Sequence, residues 1–498
     1  MKKNSLLFAS TSLILALGCL AGCAKTKKSL VVWVGSESVE FYRAQAKEFL
    51  KNNADFGLKI TIVGADTGSA AGQMVSDNTS CGDIVTIASD NIGKLSQLSY
   101  IAPIIDEETI KQVEQDNPTS FISAVKNILG SDDKYTYTFG VPYISQALFL
   151  YYDTRYVNPG EEETFEGLEQ AAARYDSQNG VSGTKSYTVT GTDGYNFSFS
   201  LLAGNIMSGS YESKLRLYQN GNPMDCYAQD NEMVAVLKWM QRSNEAVNGG
   251  LLESDSPWAT NITNHKAISV IGGAWHYNSF RDAVTDSSGV VHMGCAKIPG
   301  FTLTDADVQG IEAVNYPDDP SLPEELRNKV DPAPLAGTKF TGGSFVDCKA
   351  FAINMATMDG DVEKYYKICK LLRYFSSEEV QKKSYIEALN VPAFKTASAF
   401  VEESKSQVDE TAYLMAKSQT GMSANGISQP FSNGNLNAAF YSKGGPGYYL
   451  NCVTKKGGSG SDINGIREVL WRMEYLWKNS NAPAQNQYPG TYPASTTK

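Results

Sequence analysis

The chain has 498 residues, a formal net charge of −11, 42% hydrophobic residues and 19% charged residues. These values exclude wholesale disorder, and the acidic balance excludes the basic face a nucleic-acid partner requires. One hydrophobic core stops growing at roughly 250–300 residues, so the length predicts more than one domain, about three at ~150 residues each.

Lys2 and Lys3 precede an apolar run of 16 residues, Leu6–Ala21. That run is shorter than the ~20 residues of a membrane span and reads as a secretory signal peptide. It ends Leu20-Ala21-Gly22-Cys23, which resembles the lipobox of bacterial lipoproteins. Small residues at 21 and 22 suit a signal peptidase cleft, so residues 1–22 are expected to be removed and Cys23 to carry lipid. Losing Lys2 and Lys3 takes the mature charge from −11 to −13. Residues 23–28 then form a short polar tether.

Val-rich Ser29–Val34 reads as a buried strand. Val39, Tyr42, Ala46, Phe49 and Leu50 recur at helical spacing over 38–52. A strand at 58–63, a helix at 69–77, a strand at 83–88 and a short helix at 91–97 follow. This alternation implies βαβ units and a parallel sheet. Further on, the pattern predicts strands at 147–152, 267–271 and 345–354. It predicts helices near 163–175, 197–206, 230–245, 362–374 and 377–388. Residues 300–340, rich in Pro, Gly and Asp, read as a long surface excursion. Ile463, Ile466, Leu470, Met473 and Trp477 predict a last packing helix, and 481–498 a flexible tail.

Six cysteines follow Cys23: Cys81, Cys226, Cys295, Cys348, Cys369 and Cys452. Sequence leaves their pairing open. With no CxxC and only His265, His276 and His292, a structural zinc site is not expected, nor is any other metal or cofactor.

Six segments, in order, resemble the bacterial extracellular solute-binding protein family 1, the maltose-binding-protein-like group. They are SLVVWVGSESVEFYRAQAKEFLKNN, GDIVTIASDNIGKL, YTFGVPYISQALFLYYDTRYV, NHKAISVIGGAW, GGSFVDCKAFAIN and YYKICKLLRYFSSEEVQKKSYIEALNVPAFK. The resemblance implies an α/β, two-lobe periplasmic-binding-protein-like fold (type II), with discontinuous lobes joined by hinge strands. Lobe 1 would be 29–146 plus 350–395, and lobe 2 147–349 plus 396–480. Hinges are expected near Ser145–Leu148 and Ser344–Asp347. The implied role is a monomeric receptor, held outside the cytoplasm by lipid on Cys23. It would close on a carbohydrate in a cleft and present it to the membrane subunits of an ABC permease.

A sugar offers hydroxyls at its edge and C–H patches on its faces, which call for polar groups and flat rings respectively. Trp275, after Gly272-Gly273-Ala274, matches the family's cleft Trp and is the candidate stacking residue. Asp90 and Asn91, after the third strand, match the polar pair that takes hydroxyls; Asp90 also suits a helix N-cap. Gln146 stands where the maltose binder has an acid, which argues for a ligand other than maltose itself. Tyr195, Asn196, Ser36 and Glu37 lie in segments that match contact loops, and Tyr143, just after Pro142, offers a ring either to the ligand or to packing at the hinge. Asn433, Gly434 and Asn435 form a looser candidate, and Trp258 is a candidate for the rim. Trp33, inside a strand, reads as core.

The same receptor fold could serve a peptide or a polyamine. Among enzymes, HExxH, GxSxG and P-loop motifs are absent from the sequence. A glycosidase built on two carboxylates is compatible with any sequence that carries acids, and a binding protein is the favoured reading.

Overall fold

The structure, a computed structural model, describes residues 29–128, 135–192, 195–201, 204–205, 231–316, 318, 327–358, 360–423, 427–428, 452–454 and 462–478. The expected signal peptide, the tether with Cys23, the tail, Cys226 and Asn433–Asn435 lie outside them. The chain folds into two compact units, and among the described residues it passes between them at Gln146/Ala147, Val346/Asp347, Val408/Asp409 and Ile427/Ser428.

The elements that carry the argument are, in chain order, β1 (Ser29–Val34), α1 (Val39–Asn52), β2 (Lys59–Gly64), α2 (Thr67–Asp77), β3 (Ile84–Ala88), β4 (Val141–Asp153), α3 (Phe165–Asn179), β5 (Tyr187–Val189), α4 (Asn231–Glu245), β6 (Ser269–Gly273), α5 (Tyr277–Ala283), β7 (Met293–Ala296), β8 (Phe345–Asn354), α6 (Val362–Phe375), α7 (Glu378–Ala388), α8 (Glu410–Ser423) and α9 (Ile463–Lys478).

In unit 1 the strand order is β2-β1-β3-β8. β1 runs parallel to β2, from Ser29 opposite Lys59 to Val34 opposite Gly64, and parallel to β3. β8 returns antiparallel, with Lys349 opposite Ala88 and Ile353 opposite Ile84. The central strand β3 is buried from Ile84 to Ile87, while the edge strand β2 buries only Ile62. Helices are stopped and started by side chains. Asp66, Asp361 and Ser377 accept from backbone N–H groups at the starts of α2, α6 and α7, each worth about 1 kcal/mol. Beneath the sheet Asp83 accepts from Val31 N at 2.7 Å and from Lys364 Nζ at 2.7 Å. Lys364 also donates to Thr357 O at 2.6 Å. Both charges are buried, so this ion pair ties α6 to the sheet. Residues 397–408 belong to unit 1 rather than to the second lobe expected from residue 396. The reason is Phe400, whose ring lies 6.0 Å from Tyr385 and 6.0 Å from Phe394, with Lys382 above it.

In unit 2 the second half of β4 is central. β6 pairs with it antiparallel, from Ser269 opposite Tyr152 to Gly273 opposite Leu148, and β7 lies against Leu150–Asp153. β5 runs parallel to β6. The core is aromatic: Trp239 of α4 stacks on Phe301 at 3.8 Å between centroids and meets Phe165 of α3 at 5.1 Å. Such ring pairs add about 0.5–1.5 kcal/mol beyond their burial.

Several expectations change. β4 begins at Val141, six residues earlier than the apolar run suggested. The 300–340 stretch is less of an open excursion than its composition implied. Gly300–Thr302 pairs with Lys339–Thr341, and Phe301, Leu303 and Phe340 are buried. The helix expected over 197–206 ends at Leu201, and Gly204–Asn205 pairs instead with Phe340 and Thr341. The helices Glu107–Asp116, Thr119–Ala124 and α8 were not foreseen. The described cysteines Cys81, Cys295, Cys348, Cys369 and Cys452 are free and buried. No helix among the described residues is long and apolar enough to cross a membrane.

Candidate ligand-binding edges

The candidate residues sit on one recurring device. A strand ends, a single 3-10 turn follows, and a helix begins. β1 leads through Ser36–Ser38 into α1, β3 through Ser89–Asn91 into Ile92–Gln97, and β6 through Ala274–His276 into α5. The tight turn holds two or three side chains at the carboxyl end of a strand, where ligands of open α/β sheets bind.

In unit 1 two such turns stand at the same edge, because β1 and β3 are parallel. Ser36 and Glu37 are exposed there, and Asp90 and Asn91 are half-buried. Asn91 Nδ2 donates to Asp90 Oδ1 at 2.7 Å. Asp90 does not cap the following helix: Asn91 occupies that position, and no side-chain bond is made there. The antiparallel register of β8, carried two residues past Lys349–Ala88, brings Asp347 level with Asp90. Asp347 is 4% exposed, accepts from Cys348 N at 2.7 Å, and receives a short hydrogen bond from Ser89 Oγ. Burial first, then the charge on Asp90, push the Asp347 carboxyl well above the usual range. Lys349 Nζ lies 3.6 Å from Glu37. Its charge is therefore balanced within the edge, which suits a neutral polar ligand better than an anion. Gln146, half-buried, ends the part of β4 that belongs to unit 1.

Tyr143 does not join this edge. It is 3% exposed, its ring stacks on Phe351 at 4.1 Å, and Tyr42 meets it edge-on at 6.0 Å. Its ring packs within unit 1, which is the packing alternative for this residue and not the ligand-facing one. Trp33 packs partly buried against the Met74 and Cys81 cluster.

In unit 2 the turn after β6 carries rings. Trp275 is 43% exposed and folds back over Gly273, where an added Cβ would lie 2.2 Å from the indole. The close approach requires glycine. Tyr151 donates to Gly273 O at 3.1 Å, and Ala274 N donates to Gln419 Oε1 of α8 at 3.3 Å, so the turn is fixed from two sides. Tyr195 lies 6.0 Å from Trp275 at 42°, and Asn196 accepts from Thr190 Oγ1 at 2.7 Å. Trp258, half-buried at the start of Trp258–Thr263, reaches this group through His276. Burial pushes His276 down to about 4, so the imidazole is neutral at pH 7.

Sequence reasoning overlooked Asp347 as a site residue, and also Lys349, His276 and Gln419. Asp347 is legible as an acid at the head of an apolar strand, and His276 as the neighbour of Trp275. Gln419 lies 144 positions from Trp275, on a helix without strong amphipathic signal, and gives no cue. No cluster of His, Cys, Asp and Glu able to hold a metal occurs among the described residues.

No family model and no curated protein matches the chain. Solved structures do. The maltodextrin-binding protein MalE1 from L. casei BL23, without ligand, superposes with a TM-score of 0.59 at 15% identity, over 91% of this chain and 100% of its own. MalX from Streptococcus pneumoniae, in complex with maltopentaose, gives 0.61 at 17% identity over 90% and 100%. The maltose-binding MalE from Listeria monocytogenes, in complex with maltose, gives 0.60 at 16% over 93% and 100%. This chain has the maltose-binding-protein fold. At such identities the likeness is one of fold, and the fold places the strand-end turns described above where each unit presents its polar or aromatic edge.

Proposed function

We infer that the protein is an extracytoplasmic solute-binding receptor, lipid-anchored through Cys23, that takes a carbohydrate of oligosaccharide size and hands it to an ABC importer. The observation that carries this reading is Trp275. A large, 43% exposed indole is seated on a glycine at a strand end, in a fold shared with proteins solved with maltose and maltopentaose. An exposed flat ring suits the C–H face of a pyranose. The Ser36, Glu37, Asp90, Asn91 and Gln146 groups of unit 1 are of the kind that hydrogen-bond to sugar hydroxyls. The reading has the protein bind and release its ligand unchanged.

The test is a panel of maltodextrins, other oligosaccharides, spermidine and short peptides, scored by melting shift on the chain from residue 24. A ligand that binds only the native state at 100 times its Kd stabilises by about 2.7 kcal/mol. Stabilisation by one or a few oligosaccharides, with no sugar cleaved, is expected. Stabilisation by spermidine or peptide alone would overturn the sugar reading and keep the receptor; release of shorter sugars would overturn the receptor.

A further inference from the structure

The glycine pair that ends β6 seats two rings. Trp275 lies on Gly273. His276 lies on Gly272, where an added Cβ would come 3.1 Å from its Nδ1 and 2.9 Å from Thr190 Cγ2. The imidazole stands between two indoles, 5.3 Å from Trp258 at 77° and 5.4 Å from Trp275 at 53°. Its Nδ1 is buried without a hydrogen-bond partner. Buried polar atoms are nearly always paired, so an orphan nitrogen shows that this ring is placed by packing and not by a hydrogen bond through Nδ1.

We propose that His276 is a positioning residue for Trp275: its imidazole is a wedge that fixes the tilt of the indole and so the plane a sugar ring meets. The proposal rests on the reading of Trp275 as the stacking residue. Three observations converge on it. The Gly272 seat leaves space for a flat five-membered ring. Trp258 gives the imidazole a second, T-shaped ring contact, so the ring is packed against both indoles. The indole itself is 43% exposed, with Tyr195 as its other ring neighbour among the described residues at 6.0 Å. A stacking surface is effective when its supporting contacts lock its rotamer before the ligand arrives.

The experiment is a double-mutant cycle with maltopentaose as the probe, joined to a ligand-free readout. In His276→Ala the Kd is expected to weaken about tenfold, and the same change in a Trp275→Ala background is expected to add almost nothing. Without ligand, acrylamide should quench the indole emission of His276→Ala more than that of wild type. That excess should vanish when Trp275→Phe is added. Losses that add independently, or an unchanged Kd and unchanged quenching, would overturn the proposal. If His276→Ala fails to fold, His276→Asn, which keeps a smaller planar group, takes its place in both measurements. If wild type binds no maltopentaose, the ligand-free quenching alone decides: the excess supports the wedge even though the sugar reading has failed, and its absence overturns the wedge.

Discussion

The edge of unit 1 and the end of β6 in unit 2 are built alike and furnished differently. Each is a strand, a one-turn 3-10 segment and a helix. Unit 1 fills its turns with Ser36, Glu37, Asp90 and Asn91, backed by the buried Asp347. Unit 2 fills the corresponding turn with Trp275 and His276, backed by two glycines. The same backbone device thus yields a hydrogen-bonding surface in one unit and an apolar, flat one in the other.

The comparison can be broken from inside unit 1. Asp83→Ala leaves the Lys364 ammonium buried without its partner and removes the acceptor of Val31 N. Denaturant titration should give a loss of about 3–5 kcal/mol, because an unpaired buried charge costs more than the pair contributes. The aromatic surface is broken by Trp275→Ala. Affinity for the best sugar of the panel should fall by about 2 kcal/mol, roughly thirtyfold, with the melting temperature of the ligand-free protein nearly unchanged. Binding equal to wild type would remove the central contact. The polar surface is probed by Asp90→Asn, which keeps the shape and removes the charge. A charge-assisted bond exceeds a neutral one by about 1 kcal/mol, so calorimetry should read a loss of about fivefold.

Two smaller effects depend on pH and have opposite signs. The folded His276 titrates near 4 and the unfolded one near ~6.5, so between these values the unfolded chain binds more protons and stability rises with pH. His276→Phe should flatten that rise. The folded Asp347 holds its proton above the unfolded value of ~3.9, so its contribution falls as pH climbs from there toward the folded value. Asp347→Asn should flatten that fall. Chemical denaturation of each variant beside wild type from pH 4 to 7 separates the two.

Where the hydrophobic period was strong, the fold could be read from residues alone. β1, α1, β3, α6 and β8 lie within one residue of their expected bounds, because Val-rich runs and the Tyr42–Ala46–Phe49 stripe leave few alternatives. Elements that depend on distant partners could not be read. Gly204–Asn205 is a strand because Phe340–Thr341 pairs with it, and residues 397–408 join unit 1 because Phe400 finds Tyr385 and Phe394. The same division holds at the edges. Asp90, Asn91 and Trp275 follow strands directly and are legible. Asp347 comes level with Asp90 only through a register with β3, and His276 meets Trp258 only through the tertiary fold. For Tyr143 the sequence leaves ligand contact and packing open, and only the tertiary stack on Phe351 assigns it to the core.

The central claim is that the aromatic turn of unit 2 meets a sugar. Its most direct test is isothermal titration of maltopentaose into wild type and Trp275→Ala, both as the chain from residue 24. The account predicts saturable one-to-one binding to wild type and roughly thirtyfold weaker binding to the variant. Equal affinity in the two proteins would contradict it.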